Sequence, residues 1–272
     1  SDVISSFQKF YKLMLSFCFF MAGINPSVFK SYDIRGVYPS EINEETAAAA
    51  AKALAFYLKA DKLVIGRDAR VSSPSLYKAI VNALIESGVD VIDLGLCPTP
   101  LVSYAIAKKG FPGGIMITAS HNPPEYNALK LIQAPVFQLS SPGGLDDVKK
   151  LALNPEISGM KSDNPGKVES FSILDEYIAE VCEEFVSLKG LRIVADYGNG
   201  MGGITAKPVL QKLGVDAVHL YDVVDCTFPN HQANPAEEKN LEEMKKSVLM
   251  QKADAGIAFD GDADRGFVID EK

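Results

Sequence analysis

Two short segments, far apart in the chain, carry the residue types that phosphoryl transfer needs: residues 118–124 read TASHNPP and residues 260–265 read DGDADR. In the second, Asp260, Asp262 and Asp264 alternate, so in an extended or gently looped segment all three carboxylates can turn toward one point. Three hard oxygen donors suit Mg²⁺ or Ca²⁺, and Mg²⁺ needs no all-protein cage because it keeps waters and accepts a phosphate oxygen. Arg265 follows directly and can bind the same phosphate. In the first segment Ser120 stands beside His121. A serine hydroxyl is a weak nucleophile, but as phosphoserine beside a cation it becomes a phosphoryl donor. His121 and Lys130 can each exchange a proton with a sugar hydroxyl or hold phosphate charge, and spacing leaves open which does what.

Competing chemistries fit less well. Asp260, Asp262, Asp264 and Glu271 match four positions of a calcium-binding helix–loop–helix, but Arg265 stands where that loop needs glycine. Its flanks, 255–259 and 266–269, look like strands rather than helices. A plain acidic surface turn is costly directly after a buried strand unless something cationic sits among the carboxylates. No G-x-S-x-G elbow surrounds Ser120, so no acyl-transfer triad is indicated. DYGNGMGG at 196–203 is glycine-rich and precedes a helix, yet lacks the Lys-Ser/Thr ending of a P-loop. His231, in PNHQANP, has no neighbouring Cys or second His to make a zinc site. SYDIRG at 31–36 reads as a turn with an Asp33–Arg35 ion pair, and GRDAR at 66–70 as a charged loop after a strand. Arg35, Arg67 and Arg70 are phosphate forks if they face a cleft, and structural otherwise.

The elements that must position these groups alternate. Asn43 with Glu44 and Glu45 opens a helix over 43–60, a strand follows at 62–65, and Ser73-Pro74 opens a helix that runs to Gly88. A strand at 89–94, a helix from Thr99-Pro100 to Gly110 and a strand at 114–118 lead into TASHNPP. Residues 142–167 read as a linker around one short helix near 145–153. Beyond it, an amphipathic helix places Leu174, Ile178, Val181, Phe185 and Leu188 on a core face. Strands at 191–195, 216–220 and 255–259 then alternate with helices ending at Leu213 and spanning 241–250. The fold class expected is α/β: two successive domains with mixed, mostly parallel sheets covered by helices, function lying at the carboxyl ends of strands.

At 272 residues with 47% apolar and 23% charged content, the chain has material for two cores. A net charge of −8 argues against nucleic acid or an anionic membrane as partner, while leaving room for a local basic pocket holding one phosphate. Cys18, Cys97, Cys182 and Cys226 have no CxxC pairing and read as buried thiols in a reducing, cytoplasmic setting. The apolar run at 13–23 lacks a cleavage site and is shorter than the about 20 residues a membrane span needs. Residues 1–21 are expected to be an extension, with Met21 the natural start.

Taken together, FKSYDIRG, GRDAR, TASHNPPEYNALK, DYGNGMGG, HQANP and FDGDADR, in order from Phe29 to Asp270, resemble the α-D-phosphohexomutase superfamily, in its phosphomannomutase/phosphoglucomutase branch. The resemblance implies domain I over 22–165 with the phosphoserine loop, and domain II over 166–272 with the metal loop. It implies a resting phosphoserine at Ser120, with Mg²⁺ held by Ser120, Asp260, Asp262 and Asp264. Arg35, His121 and Lys130 would assist catalysis, and Tyr32, Arg35, Asn122 and Arg265 would contact substrate. The reaction implied interconverts hexose 1-phosphate and 6-phosphate through a glucose or mannose 1,6-bisphosphate. Family members have four domains, so this chain is expected to lack domains III and IV, which recognise the sugar and clamp its distal phosphate, and to turn over feebly. Ala128 stands where the family usually has glycine, a change expected to restrict the backbone. Two alternatives remain: an aspartyl phosphatase with Asp260 as nucleophile and Asp262 as acid/base, and a noncatalytic metal- or phosphosugar-binding module.

Overall fold

Short β-branched runs separated by Ala- and Leu-rich helical stretches fold, in a computed structural model describing residues 24–185 and 187–270, into two helix-covered sheets. The apolar run at 13–23, Cys18 and the expected start at Met21 lie outside the described residues. In the first half the elements are β1 (Ile34–Val37), α1 (Glu44–Leu58), β2 (Lys62–Arg67), α2 (Ser73–Glu86), β3 (Asp90–Leu96), α3 (Thr99–Lys109), β4 (Gly113–Ile117), β5 (Tyr126–Gln133), β6 (Phe137–Gln138), α4 (Gly144–Ala152), α5 (Pro155–Ser158) and β7 (Val168–Ser170). Their sheet runs β1-β5-β4-β2-β3-β7, with β6 against β5. The second half comprises α6 (Leu174–Glu183), β8 (Arg192–Asp196), α7 (Gly202–Lys212), β9 (Asp216–Leu220), α8 (Glu242–Gln251), β10 (Ala255–Phe259) and β11 (Gly266–Ile269), with sheet order β11-β10-β8-β9.

The core follows from strand alternation. Leu63 and Ile65 of β2 face α1 and α2, where the alanines of α1 let the helix lie close to the sheet. Val64, between them, faces the opposite side with Val102 and Ile106 of α3. Helix α1 starts as its sequence requires: the Asn43 side chain accepts from Thr46 N at 3.0 Å, and Glu44 and Glu45 occupy the first turn. In the second half Val194 and Ala258 pack against Met244 and Val248 of α8, while Ile193, Ala195 and Tyr197 pack toward α7.

Several elements differ from expectation. SYDIRG is no simple turn: Ile34–Val37 forms β1, antiparallel to β5. Strand β5 itself was not foreseen, because it is buried on both faces and so shows no clean alternation. It pairs antiparallel with β4, which makes the serine segment the loop of a hairpin. Ala128 lies fully buried in β5 opposite Arg35, in regular strand pairing, so the methyl group there imposes no backbone restriction. The segment 142–167 is fastened down rather than free to link. Leu145, Val148 and Ala152 of α4 join the α1 core, and the Lys52 ammonium donates to the carbonyls of Ser158 (3.1 Å) and Met160 (2.9 Å). Strand β7 then extends the first sheet beyond β3. Helix α6 ends at Glu183, its apolar residues are only half buried and Phe185 is exposed, so it is no full core helix. It lies between α3, with Tyr177 edge-on to Tyr104 and Glu176 paired to Lys109 at 2.7 Å, and α7, where the Cys182 thiol meets the Val209 carbonyl.

Candidate functional site

The loops at the carboxyl ends of β4 and β10 meet, one from each sheet. Ser120 is buried and adopts a left-handed backbone (φ 53°), a conformation that few non-glycine residues hold without support. Its Oγ donates to Asp260 Oδ2 at 2.7 Å and accepts from Arg265 Nη2 at 2.7 Å. The His121 Nδ1 lies 3.2 Å from the same hydroxyl and also faces Arg265. Burial first, then the guanidinium groups of Arg265 and Arg35, hold the His121 imidazole below its ordinary pKa, so the ring is neutral at pH 7.

Support for the loop comes from Arg70. Expected as a possible phosphate fork, it is instead almost wholly buried, and its two terminal nitrogens donate to the carbonyls of Ser120 (2.8 Å), Asn122 (2.8 Å), Pro123 (2.7 Å) and Tyr126 (3.0 Å). Its Nε pairs with buried Asp68 at 3.0 Å. Arg67 is likewise structural, stacked on Tyr77 and 3.6 Å from Asp93. The Ser73 and Thr99 hydroxyls, in the Ser-Pro and Thr-Pro pairs that open α2 and α3, do not cap: Ser73 donates to Asp68 at 2.6 Å, and Thr99 donates to Asp262 across the gap between the sheets.

Asp260, Asp262 and Asp264 converge as expected, each offering an oxygen within 4.8 Å of the others. Asp260 and Asp262 are buried and Asp264 lies at the rim. Burial, then the neighbouring Asp262 and Asp264, push the Asp260 carboxyl up to about 6. For Asp262 burial works in the same direction, but Lys130 and Thr99 outweigh it and hold the group below the usual carboxylate range. Lys130 reaches this pair from β5, contacting Asp262 and lying 2.6 Å from Asp264. Burial disfavours its charge, yet the two carboxylates prevail and keep it an ammonium. One buried oxygen, Asp262 Oδ1, has no hydrogen-bond partner. An unpaired buried carboxylate oxygen within an all-oxygen cluster fits a hard divalent cation.

Of the other expected residues, Arg35 and Asn122 come together, Arg35 Nη1 donating to Asn122 Oδ1 at 3.0 Å. The Asp33–Arg35 pair is present but loose, at 3.7 Å. Tyr32 is not in the cluster; the residue is 68% exposed and its carbonyl accepts from Gln138. Sequence reasoning missed Thr99 and Gly261. The Thr99 main-chain N–H, at the start of α3, donates to the Asp262 carbonyl at 3.1 Å. The only signal for Thr99 was its Thr-Pro pair, which read as a cap.

His231 has a use other than metal binding. Its Nε2 is 3.0 Å from buried Asp196 and its Nδ1 is 3.0 Å from the Gln232 carbonyl. Both partners accept, so the geometry favours protons on both ring nitrogens. The Asp196 hydrogen bond, opposed by burial, raises its pKa, whereas burial lowers those of His121 and His219. NMR titration is therefore expected to show one of the three imidazoles titrating above a histidine's usual value and two below. Because the folded pKa is raised, the stability His231 contributes is full below its unfolded pKa and is lost as pH rises through the folded one. A His231 resonance titrating below the ordinary value would contradict the double-donor geometry.

Residues 26–143 match the family described as phosphoglucomutase/phosphomannomutase, alpha/beta/alpha domain I, and residues 175–272 match its alpha/beta/alpha domain II. The chain is 35% identical over 246 residues to a phosphomannomutase/phosphoglucomutase of Pseudomonas aeruginosa, covering 89% of this chain and 52% of that protein. Against a phosphomannomutase of Salmonella montevideo it is 36% identical over 256 residues, covering 91% of this chain and 56% of the other. The crystal structure of a phosphoglucomutase/phosphomannomutase family protein from Burkholderia thailandensis superposes with a TM-score of 0.81 at 31% identity, over 91% of this chain and 55% of that one. The chain spans about half the length of the relatives it matches.

Proposed function

This chain belongs to the phosphoglucomutase/phosphomannomutase family, and from that premise we propose that the whole protein interconverts hexose 1-phosphate and hexose 6-phosphate with Ser120 as its phosphoryl carrier. The observation that carries the proposal is the Ser120 hydroxyl itself, held on a left-handed loop residue between Asp260 of the carboxylate cluster and the Arg265 guanidinium. Phosphoserine would pass its phosphoryl group to the free hydroxyl of a hexose monophosphate, forming glucose or mannose 1,6-bisphosphate. The P–O bond to serine breaks as the bond to the sugar oxygen forms, and the sugar hydroxyl's proton ends on the departing Ser120 Oγ. After the bisphosphate reorients, its other phosphoryl group returns to Ser120 by the reverse exchange.

The residues divide this work by their charge. Neutral His121, beside the serine oxygen, is the group able to take and return a proton, while charged Lys130 and Arg265 hold negative charge. Asp260, Asp262 and Asp264, with an oxygen of the Ser120 phosphate, would hold Mg²⁺, which supplies charge neutralisation at the phosphoryl oxygens. Arg35, Asn122 and, less directly, Tyr32 would meet the phosphohexose. Free Cys97, Cys182 and Cys226 suit a reducing compartment, and the proposal sets the protein in the cytoplasm. Among the described residues no helix is long and apolar enough to cross a membrane.

The aspartyl phosphatase alternative is disfavoured because both oxygens of Asp260 are engaged, Oδ1 by Arg265 N and Oδ2 by Ser120 and the Arg265 side chain. The test is incubation of the chain with Mg²⁺ and glucose or mannose 1,6-bisphosphate, followed by peptide mass mapping. One acid-stable phosphoryl group on Ser120 is the expected result. An acid-labile acyl phosphate on Asp260 would establish the phosphatase instead, and binding without transfer would establish a noncatalytic module.

A further inference from the structure

Arg70 takes the carbonyls of Ser120, Asn122 and Pro123 but not that of His121. The His121 carbonyl accepts instead from Gln232 Nε2 at 2.7 Å, a side chain that belongs to the second half of the molecule. The N–H of the His121–Asn122 peptide donates to the Ala119 carbonyl at 3.0 Å, within the first half. Its carbonyl is the one in this stretch held from across the gap.

The far side of this contact is built to be stiff. The Gln232 carbonyl accepts from His231 Nδ1 at 3.0 Å and from Asn234 N at 2.7 Å. His231 is anchored on Asp196, whose other oxygen accepts from Gly198 N at 2.8 Å. Asn230 adds a bond to Asn199 at 2.7 Å. The loop is thus tied at two points to the end of β8 and the segment after it, and the Gln232 amide is what it extends toward the serine loop.

We infer that Gln232 is a positioning residue that orients His121 against the Ser120 hydroxyl, so that the histidine is set for phosphoryl transfer only when the two halves are closed on each other. Gln232 touches none of the reacting atoms. When Ser120 Oγ forms its bond to phosphorus and the P–O bond to the sugar breaks, the serine proton ends on the departing sugar oxygen, and it is His121 that lies beside that exchange. Without the Gln232 bond the His121–Asn122 peptide keeps only the tie from Asn122 N to the Ala119 carbonyl, and the direction of the His121 ring is less firmly set. The inference rests on the mutase reading above.

The experiment is Gln232→Leu, which keeps size and removes the donor, compared with the unaltered chain for phosphoryl uptake onto Ser120 from glucose 1,6-bisphosphate. Loss of one well-placed hydrogen bond is expected to lower the maximal rate about tenfold. The bisphosphate concentration for half-saturation and the thermal midpoint should stay unchanged, and the His121 imidazole resonances should move while those of His219 do not. Gln232→Glu keeps the length but turns an acceptor toward the carbonyl, and it should be no better than the leucine variant. An unaltered rate in Gln232→Leu, or a slower rate with His121 resonances unmoved, overturns the inference. No uptake by the unaltered chain overturns the mutase reading and the positioning role together, and needs no variant to be seen.

Discussion

Replacement of Arg70 by methionine is expected to destabilise the protein by about 3–5 kcal/mol, the usual consequence of removing one partner from a buried ion pair. Methionine fills similar space, so packing loss is the smaller part. The larger part is polar. Asp68, 2% exposed, loses its charged partner, and the carbonyls of Ser120, Asn122, Pro123 and Tyr126 lose the guanidinium together, Pro123 keeping the Tyr126 N–H at 3.1 Å. Asp68 keeps hydrogen bonds from Ser73 Oγ, from residue 70's own N–H and from the Thr118 side chain, which limits the damage. Burial already raises the Asp68 pKa, and Arg70 is the main influence opposing it. In the variant that carboxyl takes up a proton more readily, so the destabilisation should shrink as pH falls. Adding Asp68→Asn should recover part of the loss at pH 7, because the unpaired charge is removed although the orphaned carbonyls remain. Urea unfolding measures all three proteins; a loss below about 1 kcal/mol for Arg70→Met would show that the carbonyls find other donors and that the serine loop does not depend on this guanidinium.

Arg70 also shows what sequence could and could not disclose. The clustering of the three aspartates was legible because it depends on residue type and local spacing, and their loop carries both. Whether an arginine faces a cleft or the interior depends on contacts with residues about 50 positions away, and GRDAR contains nothing that separates the two. Thr99 and Ser73 fail for a related reason. A hydroxyl before proline at a helix start is a sound cap signal, but a buried carboxylate nearby is the stronger acceptor, and only the folded chain brings Asp262 or Asp68 within reach. Helices and parallel strands were readable from periodicity and caps. Strand β5 was not, since burial on both faces erases the alternation that marks a strand, and with it went the recognition that Lys130 projects from a sheet rather than from a loop. His231 could not be given its use, because its ties to Asp196 and Gln232 join segments that look unrelated in the chain.

The glycines of DGDADR and DYGNGMGG have a similar hidden meaning, and Gly261→Ala is expected to lower phosphoryl uptake by Ser120 about a hundredfold, as a displacement of about 1 Å in a reacting site does. A Cβ at Gly261 would lie 2.3 Å from the Ser120 carbonyl oxygen, far inside van der Waals contact. That oxygen cannot swing away, because Arg70 holds it at 2.8 Å. Nor can residue 261 retreat easily on its other side. A Cβ at Gly200 would come within 2.7 Å of the Gly261 carbonyl, which also accepts from Met201 N at 2.9 Å. Three loops therefore meet backbone to backbone, the serine loop, the aspartate loop and the segment after β8, with glycine at two of the contacts. This is the use of the glycine-rich DYGNGMGG segment, which holds a protein loop where a P-loop would hold a phosphate. Relief of the clash requires the aspartate loop to move as a body, and Asp260 then leaves the Ser120 hydroxyl that it contacts at 2.7 Å. Gly266→Ala is the control, since its added methyl would find no atom nearer than 3.5 Å and should leave uptake unaltered. Circular dichroism and thermal unfolding should report both variants folded, because the two sheets have separate cores. A Gly261→Ala protein that takes up phosphoryl groups at the unaltered rate would mean that the close approach of the two loops is dispensable to the chemistry.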